Sequence, residues 1–196
     1  MNNSQNSNEN LSIRGMGKLS GFACKNLDVR GMACASHGTV AESASIRGTA
    51  ELEHVTIQGD LDVRGMTNLE HVTVGGNVHV RGMTNIEHCS ISGKTEVRGT
   101  LNVEDSTLHD VYVSVASGCH MHAASIERST TDNITIEGRP AWWSWFCCGR
   151  TCTVKVELND AIVEGDITFV GRKGTVIKRG SSRITGQVIG GTVVEK

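Results

Sequence analysis

The chain has 196 residues, a formal net charge of −2 and a pI near 6.4, a balance that excludes the basic footprint of a general nucleic-acid binder. Aromatic residues make up 4%, proline occurs once, glycine occurs 23 times, and no apolar stretch reaches the roughly 20 residues of a membrane-spanning helix. Seven cysteines, an odd number in a sequence without the basic and apolar regions of a secretory signal, fit reduced thiols and a cytoplasmic location better than a disulfide framework.

In chain order, residues 1–10 are a polar Asn/Ser-rich tail that buries too little to order itself. From Leu11 a repeat begins. Arg-Gly recurs at Arg14-Gly15, Arg30-Gly31, Arg47-Gly48, Arg64-Gly65, Arg81-Gly82 and Arg98-Gly99, with one spacing of 16 residues and then four of 17. Fixed periods of this kind mark architectures whose units bury an apolar face only by stacking. Aligned at 17, apolar residues fall into columns: Leu52, Leu69, Ile86, Val103; Val55, Val72, Cys89; Ile57, Val74, Ile91, Leu108; Leu61, Val78; and Val63, Val80, Val97. Within one coil the pairs Val72-x-Val74 and Val78-x-Val80 and the isolated Leu69 predict three short strand faces, with Gly75-Gly76-Asn77 and Arg81-Gly82 as two of the corners. The pattern lacks a helical period. The fold class is therefore all-β, a single-stranded parallel β-helix (β-solenoid) with about 17 residues per coil.

Coils in such a stack sit ~4.8 Å apart, so like residues lie over one another. The Arg64, Arg81 and Arg98 column would repel itself, and Asp28, Asp62 and Glu96 two residues away, with Glu53, Glu70, Glu87 and Glu104, are expected to neutralise it. Exposed pairs contribute only ~0.2–1 kcal/mol each. Their expected role is register.

Regularity fades after Thr100, although Val111-Tyr112-Val113-Ser114-Val115 still alternates and Ile126, Ile134 and Ile136 suggest coils up to Gly138. Residues 139–152 change character and hold all three Trp and three of the seven Cys, a Trp/Cys-rich insertion. From Thr153 to Lys196 a looser strand rhythm resumes and is expected to close the stack. The organisation expected is thus a tail over 1–10, a solenoid over 11–138, an insertion over 139–152 and closing coils over 153–196.

The repeats carry little chemistry. His54, His71 and His88 form a column, each preceded by Glu, but a straight row offers one metal ion at most two convenient ligands, and a polar corner repeated with the coil is the simpler account. His120-Met121-His122 is weighed in the same way. Cys24, Cys34, Cys89 and Cys119 are read as small packing residues. Cys147-Cys148-x-x-x-Cys152 lacks zinc spacing; with Trp142, Trp143, Trp145 and Phe146 it forms a candidate interaction patch that would be acylated, dock on a membrane surface or partner, or cover the solenoid flank. No nucleophile elbow, phosphate loop or dinucleotide fingerprint occurs, so no catalytic residue, metal or cofactor is expected. The apolar finish at Val188, Ile189, Val193 and Val194 is the candidate surface for self-association, because open coil ends present unpaired backbone groups.

The 17-residue coil, the aliphatic strands with glycine corners, the polar N-terminus, and the phrases Val163-Glu164-Gly165-Asp166-Ile167 and Ile184-Thr185-Gly186-Gln187-Val188 resemble the bactofilins. That resemblance implies a right-handed, three-sided β-helix that assembles end to end without a nucleotide. The conspicuous Arg-Gly column and the Trp/Cys insertion depart from it. The expected function is a non-catalytic structural scaffold that self-associates through its ends, with its own copies as partner. The alternative is a monomeric binding module or effector docking to a protein or membrane surface through the Trp/Cys-rich segment.

Overall fold

The structure is a computed structural model that describes residues 9–115, 120–138 and 153–196. It is a parallel β-solenoid of about ten coils, with no helix among the described residues. Stacked positions follow the repeat residue by residue. Leu11, Leu27, Ala44, Leu61, Val78, Thr95, Val111, Ile134, Ile167 and Val188 form one inward column. The Val63, Val80 and Val97 column is inside, at 1% exposure or less, and Arg64, Arg81 and Arg98 point outward.

Each coil has three sides. In the coil that starts at Leu61, the strand Leu61–Glu70 runs along the first side, turns at Gly65 and continues along the second, while Thr73–Val74 forms the third. The inward residues are Leu61 and Val63, then Thr67 and Leu69, then Val72 and Val74. Thr67 was invisible as a core residue in an apolar pattern. It and Thr84 face inward on the second side, where the neighbouring coils place Ala50 and Leu101, and their hydroxyls are buried without a hydrogen-bond partner. A buried hydroxyl left unpaired costs ~1–3 kcal/mol, so these two positions, with Thr95 and Thr131 whose hydroxyls are buried in the same way, are tolerated weaknesses in a mainly aliphatic core.

The corners solve three different backbone problems. At the first, Gly31, Gly48, Gly65, Gly82 and Gly99 have φ between 130° and 150°, and a Cβ on any of them would lie 1.9–2.1 Å from the carbonyl oxygen of the glycine one coil below. Only glycine fits, by conformation and by space.

At the second, His37, His54, His71, His88, Asp105, Arg128 and Asp160 all turn the chain with φ between 43° and 54°, the left-handed region in which His and Asp are over-represented among non-glycine residues. At the third, side chains take over the amides that the turn leaves unpaired: Asn26 Oδ1 accepts from Ser43 N, Asp60 Oδ1 from Asn77 N, Asn77 Oδ1 from Lys94 N, Asn133 Oδ1 from Asp166 N and Asp166 Oδ1 from Gln187 N. This explains why Asx residues recur there.

The loss of regularity after Thr100 has a single location. Stacked positions are 17 residues apart in the early coils, then 23 and 33, then 21. The register Val115 to Gly138, followed by Ala124 on Leu101, places the extra length at the glycine corner in both cases, and the segment 139–152 joins Gly138 to Thr153 at that same corner. Beyond it, Thr153–Asn159 pairs with His120–Glu127 and Ile167–Val170 with Ile134–Gly138, so the later coils extend one stack.

The glycine corner makes a graded prediction. Gly82→Ala should lower the melting temperature by on the order of 5–10 °C, because strain of ~1–3 kcal/mol is compounded by contact with a backbone oxygen. Gly15→Ala should cost less, since its φ is 91° and no described residue lies within 4 Å of the added Cβ. Thermal unfolding followed by circular dichroism reads both, and equal shifts would refute the account.

Candidate functional site

The histidine corner is longer than the sequence suggested. His37 joins His54, His71 and His88, and their rings follow one another at centroid distances of 5.0, 4.6 and 4.7 Å. His37 escaped notice because Ser36 and Gly38 replace the flanking Glu and Val; aligning on the corner position itself would have found it. Above His88 the column continues as Asp105 and Arg128. His88 Nε2 lies 3.7 Å from Asp105 Oδ2, and Arg128 donates to both oxygens of Asp105 at 2.8 Å, to Glu127 at 2.6 Å and to Glu104. The Arg128 guanidinium holds the Asp105 carboxyl below the usual carboxylate range. Asp160, next in the column, is lowered chiefly by the backbone N–H of Ser181 and then by its hydroxyl.

Cys89 has a more specific role than packing. The left-handed corner aims the next backbone N–H inward, and side chains one coil on accept it: Cys89 Sγ from Val72 N at 3.3 Å, Ser106 Oγ from Cys89 N at 2.9 Å, Ser129 Oγ from Ser106 N at 3.0 Å and Ser182 Oγ from Ala161 N at 3.2 Å. Burial pushes the Cys89 thiol up to about 11, so it stays protonated and unreactive. Cys34 is exposed and its thiol is raised chiefly by its contact with Glu51.

The outer surface of the first side carries the densest set of ionisable groups. His79 sits 4.0 Å from Asp62 and 4.0 Å from Glu96, in line with them at coil spacing. Arg30 pairs with Asp28 at 3.3 Å and Arg98 with Glu96 at 3.6 Å, whereas Asp62 faces His79. Met16, Met32, Met66 and Met83, on the other flank of the glycine corner, are exposed. Among the described residues, no group of three or more His, Cys, Asp or Glu converges as metal ligands.

The two terminal coils are the remaining candidates. The strand Leu11–Ser20 pairs with Leu27–Val40 alone, and Gly191–Glu195 pairs with Gly174–Arg179 alone, so each leaves one backbone edge free among the described residues. Val188 and Val193 stand in the inward columns of Ile167 and Val176, both fully buried, yet Val193 is 43% exposed because no coil of the described residues lies above it. Ile184, in the column of Val163, belongs to the same end and was missed; the 21-residue offset from Val163 was its only signal. Ile189 and Val194 lie over Thr168 and Ile177 and are 47% and 40% exposed, at the flank of the end rather than on its core columns. Trp142, Trp143, Trp145, Phe146, Cys147 and Cys148 lie outside the described residues, as do Cys119 and the side chains of His120 and His122.

The class of protein this geometry defines is a parallel β-solenoid with repeated polar columns and, among the described residues, two terminal coils each paired on one edge. Comparison with family models, with curated proteins and with solved structures finds no match. No helix among the described residues is long and apolar enough to cross a membrane.

The Asp105 and Asp160 shifts set a pH dependence. Both carboxyls bind protons more weakly folded than unfolded, so the stability they supply is present above the ordinary Asp value near 4 and is lost as the pH falls toward their lower folded values. Urea midpoints at pH 7 and pH 3 should therefore converge for wild type and Arg128→Gln. A variant equally displaced at both pH values would contradict the role given to Arg128.

Proposed function

We propose that the protein is a non-catalytic structural scaffold that self-associates through the ends of its solenoid, in the manner the resemblance to bactofilins implies. The observation that carries this reading is the C-terminal coil: among the described residues, no coil covers Ile184, Val188 and Val193 in their core columns, and the edge of Gly191–Glu195 beside them has no partner strand. A bare strand edge flanked by apolar side chains is a template for further pairing. The arrangement of the polar groups supports a non-catalytic role. Catalysis needs different groups gathered at one point, whereas stacking turns a corner position into a row of like groups, as from His37 to His88.

A second reading, a monomeric module that docks to a protein or membrane surface through residues 142–148, rests on the composition of that segment. Sedimentation velocity over a range of concentrations, with negative-stain imaging, separates the two. Self-association predicts particles that grow with concentration, and Val188→Lys/Val193→Lys should reduce them while leaving the β-rich spectrum intact. A wild-type protein that sediments as a 21.0 kDa monomer throughout would transfer the case to the docking reading.

A further inference from the structure

From the two bare edges, and resting on the self-association reading, we infer that copies join head to tail, the N-terminal coil of one on the C-terminal coil of the next, so that the parallel sheet continues across the junction. Both free edges run along the same two sides of the solenoid. Leu11–Ser20 spans the first and second sides at one end; Val188–Ile189 and Gly191–Glu195 span the first and second sides at the other. Continuing the register within the stack assigns every contact. Leu11 falls on the Val188 column, Ile13 on that of Phe169 and Gly190, Gly17 on that of Val193, and Leu19 on that of Lys178 and Glu195.

The sizes match along these columns. Ile13 meets a position with no side chain, Gly190, and Val193 meets Gly17, whose own Cβ space Ile13 Cγ2 already fills at 2.5 Å, so Val193 would pack on the Ile13–Gly17 pair. The chain already uses this device inside the stack: Phe22 occupies the space over Gly38, and Phe169 that beside Gly174, where an added Cβ would lie 2.1 Å and 2.0 Å from the respective rings. Only at the last column does a charge intervene, and there the Glu195 carboxylate turns out to Lys178 at 2.9 Å and is 78% exposed.

Gly15 adds an independent reason. At the glycine corner each later residue gives room to the carbonyl oxygen of the coil below, yet no described residue lies within 4 Å of a Cβ at Gly15. A copy stacked beneath it would put a corner carbonyl there. The third side, where Ala23–Cys24 and Arg183–Ile184 are the outermost strands, is left one strand short by this arrangement. A junction of like ends would have to pair antiparallel, which takes each inward residue off its own column. Head-to-tail contacts are heterologous and do not close, so they propagate as a filament.

Complementation of blocked ends tests the polarity. Leu11→Lys/Leu19→Lys blocks the N-terminal edge and Val188→Lys/Val193→Lys the C-terminal one, each checked for an intact β-rich spectrum. Head-to-tail joining predicts that each variant alone is monomeric where wild type assembles, and that an equimolar mixture stops at a dimer of about 42 kDa, twice the 21.0 kDa chain. Dimers of either variant alone, or a mixture that stays monomeric, would overturn it.

A readout that leaves the core intact is oxidative cross-linking of Ser12→Cys with Ile189→Cys, outward positions that would stack ~4.8 Å apart, within disulfide reach. Efficient cross-linking of the mixture above each single variant is expected, and no increase would overturn the inference. If wild type is monomeric at every concentration, it is the self-association reading that has failed.

Discussion

The whole molecule depends on one spacing, the ~4.8 Å at which parallel strands exchange hydrogen bonds. Once a coil of 17 residues closes on three sides, every residue must tolerate its own counterpart directly above and below. That constraint selects mainly aliphatics inside, where Leu, Val and Ile stack in columns. It also selects glycine at the one corner where the backbones come close enough for the carbonyl of Gly65 to occupy the Cβ position of Gly82. The Arg-Gly signature reflects that steric demand on the glycine. Nothing comparable in the structure demands the arginine, whose side chain is solvated.

The same stacking rule disperses chemistry. A residue type that appears once per coil becomes a row, as with the four imidazoles from His37 to His88, and a row brings like groups together instead of acid, base and nucleophile. Local variation then decides electrostatics. Where the row changes to Asp105 and Arg128, one guanidinium gathers Asp105, Glu104 and Glu127.

A stack of equivalent layers has no intrinsic end. Interior coils satisfy both edges with neighbours, so a terminal coil is incomplete by construction unless something caps it, and the chain's inward columns run up to Val188 and Val193 without a change of chemistry. Assembly is therefore the reading most continuous with the physics of the fold. The charged Lys178–Glu195 pair at the margin of the last coil is the one feature that departs from the apolar columns there, and it restrains pairing on the second side without removing it.

The sequence by itself determined the architecture: a 17-residue period can be satisfied only by stacking, and the columns ending in Val63, Val80 and Val97 identify the inside of the first side before any coordinates. It also located the glycine corner and marked Val188 and Val193 as apolar residues near the end. What only the tertiary structure decided concerns groups whose role depends on a neighbour one coil away. The corner at His54, His71 and His88 was legible as a repeated polar corner, but its left-handed backbone and its continuation through Asp105, Arg128 and Asp160 were not, because a turn made by His, Asp and Arg in succession has no single residue signature. Thr67 and Thr84 read as polar in a pattern count, but their place on the inner face is set by the alternation of the strand through Leu69. Cys89 looked like a substituted valine, and its service to the Val72 amide appears only when the next coil is stacked on it. The first and last strands likewise proved to occupy the same two sides, because the insertions had reset the phase between sequence position and side, and no repeat count carries that phase through a coil of 33 residues.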